Sequence, residues 1–236
     1  MLKMLEMTFG EAVAVFLAIM SASVSPLAFT ISTGTNYSLN FLALYAVLPS
    51  VVLFFLLIPI SLSFNWKWLS SALLWSIVAG VAGTLVMEVV RATGFRIFGG
   101  MPGSLPMLMG VLMTDRIMHG PNIISNMIGW GDHFFNGIGF AALYLILLGR
   151  VRWWWGVLYA LVIATVFMLS PVMNIIGAGY FGQDFAPVRF PLTVYMAHLV
   201  YGIAVGVVAW RAPGIPAGIV PMLYQKVAML KDRHTG

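Results

Sequence analysis

Apolar residues come along this chain in long runs separated by short polar linkers, the pattern of helices that cross a membrane. A hydrocarbon core of roughly 30 Å needs about 20 such residues per helix. Six runs answer to this and predict helices over about Glu11–Ile31, Phe41–Leu62, Trp68–Val90, Ile123–Leu148, Trp153–Ile176 and Leu192–Trp210. Pro26, Pro49 and Pro171 fall within three of them. Membrane helices tolerate proline where neighbours satisfy the freed carbonyls. Lys3 ahead of the first run resembles the start of a secretory signal, but the run continues through Pro26, which predicts a retained helix.

One stretch breaks the pattern. Residues 97–119 include an apolar piece from Ile97 to Thr114, but Gly99, Gly100, Pro102, Gly103 and Pro106 are set against a continuous spanning helix. A re-entrant or interfacial segment is expected there. The tail, 211–236, is basic and predicts a cytoplasmic extension with a short amphipathic surface helix. The whole of 1–236 therefore reads as a single all-α transmembrane bundle of six helices.

Composition strengthens this picture. Hydrophobic residues make up 61% of the chain and charged residues only 8%, whereas soluble domains carry about 25% charged residues. Lipid is the partner this implies. The net charge of +5 is spread along the chain, without the basic and aromatic surface that binds nucleic acid. Its distribution fixes a topology. With both termini cytoplasmic, the inside segments carry Lys3, Lys67, Arg150, Arg152, Arg211, Lys226, Lys231 and Arg233, and the outside segments Arg91, Arg96, Arg116 and Arg189. Eight against four satisfies the positive-inside rule. There is no cysteine, which excludes disulfides, thiolate metal sites and thiol nucleophiles.

Chemistry concentrates in two helices. In each, a histidine is followed three residues later by a polar group and four later by Gly-Ile: His133, Asn136, Gly137, Ile138, then His198, Tyr201, Gly202, Ile203. An ionisable residue in hydrocarbon marks a functional site by default. The preceding helices also align, Thr84 with Thr165 and Met87 with Met168, so helices 3–4 and 5–6 read as an internal repeat. The third helix carries Ser76, Gly80, Thr84 and Glu88 on one face, a surface for close helix packing with Glu88 paired to Arg91.

Several uses of the histidines stay open. They can be interhelical hydrogen-bonding groups in a polar network with Asn136, Tyr201 and Thr84. They can ligate haem b from two sides, with Gly137 and Gly202 leaving room for the macrocycle. With Asp132 and Glu88 they offer imidazole and carboxylate ligands to a transition metal, or a proton path. Hydrolysis is disfavoured: no G-x-S-x-G elbow, H-E-x-x-H or Walker A loop is present. Ser70, Ser71 and Ser170 read as interhelical donors.

The stretch Ala79–Met87, followed by Gly129, Trp130, His133, Gly137 and Tyr144 in a G-W-x-x-H-x-x-x-G helix, resembles small bacterial and archaeal families of multi-pass membrane proteins without an assigned activity. The resemblance covers under half the chain. It implies a prokaryotic inner-membrane protein and brings no catalytic residues with it. The expectation is a non-enzymatic membrane protein, a subunit of a larger complex, with a haem-binding electron-transfer subunit and then a metal or proton transporter as alternatives.

Overall fold

A computed structural model describes residues 7–235. Lys3 lies outside the described residues, as do the side chains of Lys231 and Arg233. The described residues are helical and form no strand, only an isolated bridge between Gly149 and Ala217. Helix α1 spans Phe9–Gly34, capped by the Thr8 hydroxyl, which accepts the Glu11 N–H. α2 (Leu39–Leu42) runs through a π-helical turn, Ala43–Val47, into α3 (Leu48–Ser63). That turn lies just before Pro49, which has no N–H to give. The Leu48 N–H instead reaches back five residues to Ala43. The proline widens the helix without ending it.

α4 covers Lys67–Arg96 and α5 Leu105–Met113. α6 (Ile123–Leu147) opens on a capping box in which Asn122 and Ser125 each bond the other's backbone N–H. α7 (Trp154–Leu169) ends sooner than the apolar run suggests. Ser170 is extended, the conformation a following proline imposes, and the single turn α8 (Val172–Ile175) follows Pro171. α9 is Arg189–Arg211, and the tail forms α10, Ile219–Thr235. The segment expected to be re-entrant holds only the nine residues of α5, roughly 14 Å at 1.5 Å per residue, far short of a bilayer.

Among the described residues four helices are long and apolar enough to cross a membrane: Phe9–Gly34, Leu39–Ser63, Lys67–Arg96 and Arg189–Arg211. With many large apolar side chains exposed, Phe16, Tyr45, Leu56 and Val162 among them, this fits a lipid-embedded protein.

Across the bundle the order is α3, α1, α6, α4, α9, α7, with α5 lying on α6. Glycines set how closely the central helices approach. A Cβ on Gly80 of α4 would fall 2.6 Å from the Ile138 nitrogen of α6, and one on Gly83 2.6 Å from the Tyr201 ring of α9. α4 is wedged between its neighbours because both its faces lack side chains there. Similarly, a Cβ on Gly156 of α7 would fall 2.7 Å from Gly206 of α9. α1 meets α6 at an equally specific place. Pro26 cannot donate to the Ala22 carbonyl, and a Cβ on Gly139 would come within 2.6 Å of that oxygen.

The bundle has two distinct ends. At one, Trp68 donates to the Ala217 carbonyl, Arg150 N–H to Pro216 and Gly218 N–H to Leu148. There Gly149, with φ +63°, turns the chain out of α6. At the other, Arg189 donates to the Phe98 carbonyl and Asn40 to that of Met113. The first is called the tryptophan end below, since Trp66, Trp68 and Trp153–Trp155 gather there.

Candidate functional site

The site begins with α4. About two turns before its end, the Glu88 carboxylate takes a two-point hydrogen bond from Arg91, Nε to Oε1 at 2.6 Å and Nη2 to Oε2 at 2.5 Å. Residues three apart on a helix are neighbours, and the guanidinium fork matches a carboxylate, so the pair forms within one element. His133 of α6 comes to the same carboxylate, Nε2 to Oε1 at 2.8 Å. A carboxylate held by a guanidinium is an acceptor, so Nε2 carries the proton and donates. Arg91 also lies over the Trp130 ring, 5.9 Å from its centroid. The expected Glu88–Arg91 pair is present, and His133 extends it into a link between α4 and α6.

One residue away, Asp132 faces α1. Its two oxygens accept from the Ser25 hydroxyl and from the Asn136 amide, the latter at 3.0 Å. Because Nδ2 of Asn136 must point at the carboxylate, its Oδ1 points elsewhere. It is buried and has no hydrogen-bond partner among the described residues. Gly137 accepts the Tyr201 hydroxyl at its carbonyl, 2.7 Å away, tying α9 to α6.

His198 behaves differently from His133. Its Nδ1 lies 2.8 Å from the Val194 carbonyl of its own helix. A carbonyl can only accept, so Nδ1 donates and the Nε2 lone pair is left free when the ring is neutral. The two histidines therefore carry their protons on opposite nitrogens.

Both nevertheless line one cavity of about 200 Å³, walled by α1, α4, α5, α6, α7 and α9. Its surface is mostly apolar, from Phe29, Met87, Met101, Phe140 and Phe167, with Arg91, Asn136, His133, His198 and Tyr201 as polar points. Arg91 faces a second hollow too, shared with Glu88, Arg96, Ser104 and Trp130. Arg91 thus lies between the two, and Glu88 lines the second.

The geometry bears on each expected role. Of the polar network, Asn136 and Tyr201 take part by hydrogen bonds. Thr84 takes part by packing alone: its buried Oγ1 has no partner among the described residues and lies where a Cβ on Gly137 would be. Gly137 and Gly202 do not hold open space for a macrocycle. Gly137 is closed by Thr84 and Gly80, and Gly202 by Gly156, Val157 and Ala160. The two glycines bring helices together. The four metal candidates also part company: Glu88 and His133 bond each other, Asp132 turns to Ser25, and His198 bonds its own backbone. Among the described residues no group of three or more His, Asp or Glu is placed to hold a metal ion. Ser70 and Ser170, read as interhelical donors, bond carbonyls of their own helices instead.

Comparison with known proteins adds no name to this arrangement: no family model, no curated protein and no solved structure matches the chain. What the site does has to be read from its own chemistry. Ser25 is the residue that sequence reasoning passed over as a site member, and its side chain links α1 to Asp132.

Proposed function

We propose that the chain is a non-enzymatic integral membrane protein of the prokaryotic inner membrane, crossing it six times with both termini cytoplasmic. Its working part is the intramembrane polar site at His133 and His198, and it works by holding a small molecule. The observation that carries this reading is the shape and chemistry of the central cavity. It is a partly open, largely apolar space with a few polar groups in its wall, the form that small-molecule sites take. Around it the acidic side chains are already paired, Glu88 with Arg91 and His133, and Asp132 with Ser25 and Asn136, while His198 bonds its own backbone. Among the described residues no serine or threonine hydroxyl is hydrogen-bonded to a histidine, which favours binding over turnover.

The six-span topology is supported by the two ends of the bundle, between which consecutive long helices run alternately. The G-W-x-x-H-x-x-x-G resemblance supports the prokaryotic inner membrane. The internal repeat draws support from packing: Gly137 of α6 rests on α4, and Gly202 of α9 rests on α7. The repeat has diverged at its partners, since Thr165, the counterpart of Thr84, meets the Tyr195 hydroxyl at 3.1 Å. The scarcity of residues outside the helices supports a subunit role, in which partner proteins supply what short loops cannot.

The test is a ligand screen on purified protein. A molecule that binds only the folded state raises stability by RT ln(1 + [L]/Kd), about 2.7 kcal/mol at a hundredfold excess over Kd. A colourless protein is expected, stabilised by at least one small molecule, with the effect lost in His198→Leu and Asn136→Leu. A Soret band lost in both His133→Ala and His198→Ala would establish haem instead. Stabilisation that persists in the cavity variants would place binding elsewhere.

A further inference from the structure

Helix α10 is apolar on two sides. Met222 is buried, and Ile219 packs half-buried on the core cluster that includes Ile215. Val220, Leu223, Tyr224 and Val227 follow the spacing i, i+3, i+4, i+7 and so form one stripe, turned away from Met222. That stripe is bare: Tyr224 is 77% exposed and Val227 64%. Lys226, also exposed, stands on its flank. The start of α10 is held at the depth of the tryptophans. Immediately before it, Trp68 donates to the Ala217 carbonyl and the Gly218 N–H to that of Leu148. Tryptophan belts lie at headgroup level, where an amphipathic helix buries its apolar face at the acyl-chain boundary.

Charge names the lipid. At this end Lys67, Arg150, Arg152, Arg211 and Lys226 are exposed. Among the described residues none of them is ion-paired with a carboxylate. Their counterpart there is Glu11, next to Gly10, which packs on Trp66. At the opposite end Arg91, Arg96, Arg116 and Arg189 stand with Glu88, Asp115 and Asp184, a nearly balanced set. The positive-inside bias accounts for where the cations lie. It does not account for a bare apolar stripe beside them. A leaflet of anionic phospholipid answers both, with acyl chains for the stripe and phosphates for the cations.

We infer that α10 lies in the interface of the leaflet at the tryptophan end and docks there on anionic phospholipid. Val220, Leu223, Tyr224 and Val227 enter the acyl-chain boundary, and Lys226 meets the headgroups together with the arginines around it. This goes beyond the ligand site and does not depend on it.

The experiment uses the full chain, which has no cysteine, so Leu223→Cys and Gln225→Cys each offer one site for an NBD fluorophore. Gln225 is exposed but lies off the stripe. Each protein is placed one copy per nanodisc, in phosphatidylcholine alone or mixed with phosphatidylglycerol. In the mixed discs the Leu223→Cys label is expected to emit further to the blue, with acrylamide quenching several-fold weaker than for Gln225→Cys. High salt, pure phosphatidylcholine or an added Lys226→Glu should each narrow that difference, because one basic residue near an anionic surface changes partitioning about fivefold. If labelling at Leu223 disturbs folding, Val227→Cys reads the same stripe. Equal quenching at the two sites in mixed discs would overturn the proposal and leave α10 standing in water. A protected Leu223→Cys indifferent to phosphatidylglycerol, salt and Lys226→Glu would overturn anionic lipid as the partner. Protection that appears only when several copies share a disc would place a second copy on the stripe instead. None of these outcomes bears on the ligand site at His133 and His198.

Discussion

Asp132 shows how a single costly residue is made tolerable in a bilayer. An aspartate inside hydrocarbon is expensive unless its oxygens are used, and here one takes the Ser25 hydroxyl and the other the Asn136 amide. Asp132→Asn keeps both contacts available, because Ser25 can accept as well as donate. Asp132→Ala strands the Asn136 amide. Interhelical hydrogen bonds in membranes average about 0.6 kcal/mol and reach about 1.7, while an orphaned buried group adds roughly 1–3 kcal/mol. The expected loss on unfolding in detergent is therefore about 1–3 kcal/mol for the alanine and under about 1 for the asparagine. Equal losses would mean that the charge, not the hydrogen bonding, holds this place. Asp132, His133 and Glu88 were legible in the sequence because an ionisable residue stands out against apolar neighbours. Ser25 was not, for a physical reason. Serines in membrane helices commonly bond their own backbone, as Ser21, Ser23 and Ser32 do in the same helix, and nothing in the letter sequence separates the one that reaches across.

At the scale of helices, glycine carries most of the information, and its meaning depends on what fills the space it leaves. The recurrence of Gly137 and Gly202 after the histidines reads equally well as room for a flat cofactor or as a helix contact; only the neighbouring helix decides, and it lies far off in sequence. α5 and α6 give the clearest case. A Cβ on Gly129 would fall 2.7 Å from the Gly110 nitrogen and closer still to the Pro106 carbonyl, both backbone atoms that cannot step aside. Two residues on, a Cβ on Gly131 would meet nothing within 4 Å. Gly129→Ala is expected to destabilise by about 1–3 kcal/mol through overpacking. Gly131→Ala should be neutral or stabilising by up to about 1 kcal/mol, since alanine is the better helix former. Thermal unfolding of the two variants side by side reads the difference, and similar effects would show that α5 does not rest on α6 as described. The helix limits were mostly readable from apolar runs. The early stop of α7 was not, because Pro26 and Pro59 sit inside helices while Pro171 follows a residue already turned extended.

For the whole molecule the number of crossings turns on α6 and α7. Four helices qualify by apolar length, while α6 and α7 do not. In α6 the shortfall comes from Asp132, His133 and Asn136, which lower its average hydropathy yet are bonded within the bundle, whereas Ile123, Ile124 and Met127 are exposed. Hydrocarbon penalises only what faces it, so an average over the whole helix overstates the cost of crossing. α7 has 16 residues, about 24 Å, which a bilayer accommodates by local thinning and by anchoring residues at the interface; Trp153, Trp154 and Trp155 stand at its start. The absence of cysteine makes this testable with single substitutions. Tyr37→Cys, Met118→Cys and Phe185→Cys place a thiol at one end, and Phe64→Cys and Arg150→Cys at the tryptophan end. A membrane-impermeant maleimide applied to intact spheroplasts is expected to label the first three and to reach the other two only after permeabilisation. If Phe185→Cys instead behaves like Arg150→Cys, α7 does not cross. The inverse pattern throughout would keep six spans and reverse the orientation, moving both termini to the outside against the eight-to-four bias of positive charge.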